Sequence, residues 1–362
     1  MWSKPSSAMP SASNVRVSDF DRFVFIVGAP RCGTTTLSRF LQDHPKISFP
    51  LVKEPHYFGR EDLRGLPDDE LKLRVETELL RRFFRSDPSR RVGVDASVSY
   101  LYAPELLEPI LRLWPESRFV VSLRDPIKML PSLYQRLVYV GEETAPSFAD
   151  AWACVSERAA GRRIPRSCAD PRLLRYDEAG RFATYLERLY SVVGKDRCQV
   201  VIFDDLAADP VGSYQRLMDF VGLEVQAGVD FSARRTGKAV RSRWLQRMLK
   251  RPPNVIRDRL GGELYRQRIQ QLENVHQRGL AANVLSLRKR LLRWNSIPGS
   301  PERLSPALQA EISNRFRGEI DRLGKLLGRD LRHWLQPSPT HPDAQAKTAQ
   351  SANLKYRNAY SR

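Results

Sequence analysis

Cysteine, histidine and long apolar runs are scarce in this 362-residue chain, and each scarcity excludes something. The four cysteines, Cys32, Cys154, Cys168 and Cys198, form no CxxC pair and share no ligand-like spacing with the five histidines. That excludes a disulfide scaffold and a zinc ribbon, and it reads as free thiols in a reducing compartment, with no metal site. No window approaches eighteen consecutive apolar residues, so no transmembrane helix is expected. The opening MWSKPSSAMPSASN has no apolar centre and does not read as a signal peptide. Acidic residues are outnumbered 60 to 41 by Lys and Arg, for a net charge of +19. Such an excess favours anionic partners (nucleotides, acidic glycans, anionic headgroups, nucleic acid) and is silent about fold.

What the chain does have is FVFIVGAPRCGTTTLSRFL, residues 23 to 41. Phe23 to Val27 is an unbroken apolar run that reads as a strand buried on both faces. Gly28 and Gly33 bracket a tight loop, and Thr34, Thr35 and Thr36 open a helical pattern carrying Leu37, Phe40 and Leu41 on one face. Strand, glycine loop and helix together form a phosphate cradle, with backbone N–H groups and a helix N-terminus aimed at one anion. The glycine spacing is that of a Walker A loop, but Thr34 stands where the lysine belongs. A nucleoside triphosphate needs that lysine and a magnesium ion. A less charged, diester-like group can be held by Arg31, backbone amides and hydroxyls.

Further strands are expected at 92–95, 118–123 and 199–203, with helices over 68–84, 105–114, 182–193 and 210–221, the last ended by Gly222. A helix also follows Arg124, and another closes the chain over 305–334. The alternation predicts an α/β fold: three layers, a mainly parallel sheet with helices on both faces, P-loop NTPase-like, with ligands beyond the carboxyl ends of the strands. Residues 1–20 read as a flexible lead-in and 336–362 as a disordered tail. Between them, Arg234 to Arg259 carries ten basic residues against the single acid Asp258. That segment is open to cofactor, acceptor or peripheral membrane contact.

The loop Pro30-Arg31-Cys32-Gly33-Thr34-Thr35 resembles the 5′-phosphosulfate loop, P-[KR]-x-G-T-[TS], of sulfotransferases that use 3′-phosphoadenosine 5′-phosphosulfate (PAPS). SLRDPIKMLPSLYQ, residues 122–135, resembles their 3′-phosphate motif, which implies phosphate contacts from Arg124 and Ser132. Read without that motif, Arg124 could equally pair with Asp125. Phe203-Asp204-Asp205-Leu206 and the segment from Leu326 to Trp334 resemble later family segments. The resemblance therefore spans about residues 22–335 and is strongest to the glycan-type and bacterial branch, with 21–335 as one sulfotransferase domain. It implies that Arg31, Cys32, Gly33, Thr34, Thr35 and Thr36 line the cofactor site, with Cys32 packing as a small residue rather than reacting.

The same branch carries its base in a K/R-E-x-H-[FY]-F segment, here Lys53-Glu54-Pro55-His56-Tyr57-Phe58. That implies Glu54 as the catalytic base, with His56 as rival or orienting partner and Arg31 acting by charge alone, since a guanidinium does not give up its proton. A lysine common in the branch's E-K-[ST]-P-x-Y segment is replaced by Ala96, and Lys238 and Arg241 are expected to substitute for it and to close over the cofactor. The function implied is metal-free sulfuryl transfer from PAPS to a hydroxyl or amine of a carbohydrate or glycolipid, releasing adenosine 3′,5′-bisphosphate. Without the Golgi anchor usual in animal relatives, a cytoplasmic enzyme is expected, with no nucleic-acid partner. Two other readings stay open: a P-loop kinase, and a non-catalytic binder of nucleic acid or anionic glycan.

Overall fold

Alternation inside the run from Phe23 to Val27 sends its side chains into two different cores. The structure, a computed structural model, describes residues 15–232, 237–251 and 280–336. Its strands β1 (Arg22–Gly28), β2 (Ile47–Ser48), β3 (Val92–Asp95), β4 (Arg118–Leu123) and β5 (Cys198–Ile202) form one sheet in the order β2-β3-β1-β4-β5. Every neighbouring pair is parallel. Val24 and Ile26 of β1 pack with Leu37, Phe40 and Leu41 of α1 (Thr34–Gln42) and with Leu217, Met218 and Val221 of the helix Pro210–Val221. Phe23 and Phe25 face the other way, Phe23 lying 4.2 Å from Trp114 and Phe25 5.4 Å from Phe119 between ring centroids. Helices therefore cover both faces, and β1 is buried as the middle strand of a parallel sheet should be. Close packing also dictates Gly93 on β3, where a Cβ would lie 2.3 Å from the Phe23 ring.

The α/β, mainly parallel expectation is met, with local differences. Ile47-Ser48, where no strand was expected, pairs with β3 as the edge strand. Phe203, expected to end a strand, instead starts the helix Phe203–Ala208. Gly222 takes φ +66° and ends its helix as predicted, and Arg22 donates to the last carbonyl, Val221 O, at 2.8 Å. The helix expected over 305–334 stops at Leu327, because Gly328 turns the chain at φ +63° before a short turn at Arg332–Leu335. That turn lets Trp334 Nε1 donate to Asp204 at 3.2 Å and Arg329 to Asp205 at 2.7 Å.

The chain divides into two compact units. The sheet unit comprises residues 13–129, 181–235 and 309–362, and the second comprises 1–12, 130–180 and 236–308. Of the predicted lead-in only the part from Val15 on is described, and there Val15 and Phe20 are buried. The predicted tail lies outside the described residues beyond Gln336, as do 233–236 and 252–259 of the basic segment. The second unit holds an antiparallel ribbon, β6 (Lys238–Val240) with β7 (Ser296–Pro298), which no pattern in the sequence announced.

The second unit also contains a buried ion pair. Arg158 grips Glu143 with two parallel bonds of 2.9 and 2.8 Å, and the side chains are 3% and 0% exposed. Tyr176 OH and the backbone N–H groups of Thr144 and Ala145 complete the carboxylate's bonds. Removing one partner strands a buried charge, so Arg158→Met should cost about 3–5 kcal/mol in urea unfolding. Adding Glu143→Leu to it should recover most of that loss. A single variant within about 1 kcal/mol of wild type would show that the pair does not hold this unit together.

Candidate active site

All five strands end on one side of the sheet, and each hands a different segment to that edge. β1 leads into the glycine loop, β2 into Lys53 to Phe58, β3 into Asp95 to Tyr100, β4 into Arg124 and β5 into Phe203. An open parallel sheet places its ligands at such an edge.

The loop is drawn against β4 and β5. Ala29 N–H donates to Ser122 O at 2.7 Å, and Ser122 Oγ donates to Cys32 O. Cys32 is wholly buried and burial pushes its thiol up to about 12, so it packs and does not react. Gly33 takes φ +87°, and a Cβ on it would lie 2.9 Å from the Phe203 ring. Arg31, half-exposed, also takes a left-handed conformation, φ +67°, which costs a residue with a side chain about 1–3 kcal/mol. α1 begins at Thr34 with neither a capping side chain nor an acidic residue in its first turn, so no carboxylate of its own offsets the positive end of its dipole. Thr34 is buried, while Thr35 and Thr36 are half-exposed.

Arg124 stacks its guanidinium 4.4 Å from the centroid of Phe203. Its Nε is buried without a hydrogen-bond partner among the described residues. Asp125, the alternative partner for Arg124, is used elsewhere: it accepts the Ile127 N–H at 2.8 Å and pairs with Lys128 at 3.5 Å. An orphaned guanidinium nitrogen beside a bare helix N-terminus is a donor set suited to phosphate or phosphosulfate oxygens.

On the β2 and β3 side, Glu54 is half-buried between the Lys53 ammonium and the His56 ring. Lys53 Nζ donates to its Oε1 at 2.6 Å, and His56 Nε2 lies 3.5 Å from its Oε2. Burial would raise this carboxyl, but the His56 bond and the Lys53 charge outweigh it and hold it down at about 2. The other ring nitrogen of His56 bonds Ser99 Oγ at 2.8 Å, and its backbone N–H donates to Ser97 Oγ at 2.8 Å. These bonds fix a histidine whose φ is +55°. Behind them lies Asp95, wholly buried, its carboxyl pushed up by desolvation although Ser97 Oγ at 2.5 Å and Tyr100 OH at 2.8 Å both donate to it. Tyr100 OH in turn accepts the Phe58 N–H at 3.3 Å. One buried carboxylate thus positions the backbone on either side of Tyr57 through two hydroxyls.

The sheet unit thereby brings Arg31, Cys32, Gly33, Thr34, Thr35, Thr36, Arg124, Glu54 and His56 to one edge. The other three expected residues belong to the second unit. Ser132 is buried in the helix Pro126–Val140, which starts two residues after Arg124. Lys238 lies 5.8 Å from the Tyr139 ring, and Arg241 donates to Trp294 O at 3.0 Å and stacks on its ring. Ala96 is fully buried in the core under β3, so no cation arises from the position where relatives carry lysine. The sequence reading gave no site role to the Phe203 ring or to the Asp95, Ser97, Ser99 and Tyr100 scaffold. A serine, a serine and a tyrosine at 97, 99 and 100, directly after a strand ending in aspartate, were the available signal.

Known proteins resemble this chain in sequence and in fold. The profile of the sulfotransferase family matches residues 24–227. The nodulation protein NoeE of Sinorhizobium fredii is 29% identical over 239 residues, 60% of this chain and 53% of that protein. Mouse heparan sulfate glucosamine 3-O-sulfotransferase 3B1 is 25% identical over 199 residues, 55% of this chain and 45% of that protein. The chain thus spans about half the length of the curated relatives it matches. The crystal structure of a sulfotransferase from Alicyclobacillus acidocaldarius shares the fold, with a TM-score of 0.53 at 23% identity over 86% of this chain and 98% of that one.

The Glu54 cluster makes a prediction about titration. A depressed carboxyl contributes stability that is fully present above its unfolded value, about 4.3, and is lost as pH falls towards 2. In ¹³C NMR the wild-type Glu54 carboxyl should titrate at about 2, and Lys53→Met should move it to higher pH. The stability gap between the two proteins should close as pH falls through that window. An unmoved Glu54 titration in Lys53→Met would show that Lys53 does not set its charge.

Proposed function

The chain belongs to the sulfotransferase family, and from that membership we propose that it transfers a sulfuryl group from PAPS to a hydroxyl or amine of a carbohydrate or glycolipid acceptor. The observation that carries this reading is the Arg124 guanidinium: stacked on Phe203, with a buried unpartnered Nε, it sits at the same sheet edge as the glycine loop. Thr34 in place of a loop lysine weighs against a kinase, which needs that cation on a triphosphate. The relatives named as carbohydrate and heparan sulfate sulfotransferases support the acceptor class.

The donor supplies an activated sulfuryl group. Arg31, the loop amides and the N-terminus of α1 would hold its phosphosulfate end, and Arg124 its 3′-phosphate. Arg31 stabilises, by charge alone, the negative charge that builds on the departing phosphate as the S–O bond breaks. Glu54 takes the proton released as the acceptor oxygen bonds to sulfur. Its resting carboxyl, held at about 2, is ionised but weakly basic, because the Lys53 ammonium and the His56 ring share its lone pairs. An acceptor hydroxyl that displaces Lys53 from Oε1 would restore basicity when it is needed. One His56 nitrogen bonds Ser99 and the other faces Glu54, which supports an orienting role for the ring.

Two measurements test this. In calorimetry the wild type should prefer adenosine 3′,5′-bisphosphate to adenosine 5′-phosphate, and Arg124→Ala should reduce the preference about tenfold or more, the loss of one charge-assisted contact. Equal affinity of the wild type for both nucleotides would rule out PAPS as donor. Glu54→Gln should lower kcat about 10²–10⁴-fold with nucleotide affinity little changed. Near-full turnover in Glu54→Gln alongside an inactive His56→Ala would transfer the role of base to His56.

A further inference from the structure

The second unit carries two amphipathic helices whose apolar side chains point out of the protein. Trp244 and Met248 stand one turn apart on the helix Arg243–Lys250 and are 71% and 36% exposed. Leu287 and Trp294 stand two turns apart on the helix Leu280–Asn295 and are 57% and 59% exposed. Only two other large apolar side chains among the described residues, Leu73 and Val225, are comparably exposed. The helices are already joined to one another. Arg288 Nε donates to Leu249 O at 2.8 Å, and Asn295 Nδ2 donates to Ser242 O at 2.9 Å and to Gln246 Oε1 at 3.0 Å. Gln246 and Asn295 are wholly buried, so a polar seam closes the pair and leaves the four apolar side chains outside it.

Charge on the pair has one sign. The two helices hold seven Lys or Arg and neither Asp nor Glu. Each exposed stripe includes a cation at helical spacing, Arg247 beside Trp244 and Met248, Arg290 beside Leu287 and Trp294. We propose that this helix pair docks the protein peripherally on an anionic lipid surface. Indole rings lodge at headgroup depth, aliphatic side chains reach the acyl boundary, and the cations meet anionic headgroups. A nucleic acid or acidic glycan would use the cations and the indoles but would gain nothing from Met248 and Leu287. A second copy of the chain would set seven positive charges against seven, which disfavours this face as a twofold interface. The proposal does not depend on which acceptor the enzyme uses.

The test is co-sedimentation of the full chain with phosphatidylcholine vesicles and with vesicles that also contain phosphatidylglycerol. The wild type should bind the anionic vesicles and not the neutral ones. Trp244→Ser with Trp294→Ser should weaken that binding about tenfold or more, and Arg247→Gln with Arg290→Gln should flatten its salt dependence. Acyl-chain-brominated lipid should quench wild-type tryptophan emission, which reads insertion without any variant. The proposal is overturned if the wild type ignores anionic vesicles, if the Trp244→Ser/Trp294→Ser protein binds them equally well, or if bromine leaves emission unchanged. It also falls if duplex DNA or heparin competes the protein off vesicles completely at equal charge concentration, or if sedimentation velocity finds a dimer that the two serine substitutions dissolve.

Discussion

A bare glycine, an aromatic ring and a guanidinium lie in contact order at the edge of the sheet, and the arrangement of the glycine loop against Arg124 depends on that stack. Gly33 leaves room for Phe203, Phe203 supports Arg124, and the three residues come from the ends of β1, β5 and β4. A side chain at position 33 would push the ring, and the ring would carry the guanidinium with it. The loop's left-handed Gly33 and the buried Arg124 are therefore one constraint met from two sides. Neither β4 nor β5 can shift along β1 without breaking it.

The Glu54 side of the edge is built by different means. A buried carboxylate, Asp95, organises it through hydroxyl groups. Asp95 and Glu54 have their titrations driven in opposite directions, the former up by desolvation and the latter down by the His56 bond and the Lys53 charge. Two carboxylates in one neighbourhood thereby acquire different environments, one holding backbone from the interior and one held ionised at the surface of the edge.

How much of this was legible follows from the range of each interaction. The strands and most helices were readable because apolar periodicity is local, and the glycine loop because its spacing is. Glu54 was named from its segment, but its depressed titration was not legible, since that depends on Ser99, forty-five residues on, holding His56 against it. Phe203 was read as the end of a strand, since nothing near it in sequence reveals a partner at position 33 or 124. The ribbon of β6 and β7 escaped because three-residue strands carry no period, and Lys238 and Arg241 were placed by the charge of their segment alone. The closing helix was overextended because the apolar spacing continues past Gly328, where the backbone turns.

That turn has a consequence for the order in which the protein is made. Asp204 and Asp205, the residues next to Phe203, are held by Trp334 and Arg329, near the end of the described chain. A ribosome therefore delivers the glycine loop, Glu54 and the Arg124 guanidinium long before the clamp beside Phe203. Domains fold as they emerge, N-terminal parts first. Here the sheet can assemble before the segment beside Phe203 has its last support. A chain ended at Gly328, after the helix Pro306–Leu327 and before the clamp, should therefore keep its sheet and lose the hold of Trp334 and Arg329 on Asp204 and Asp205.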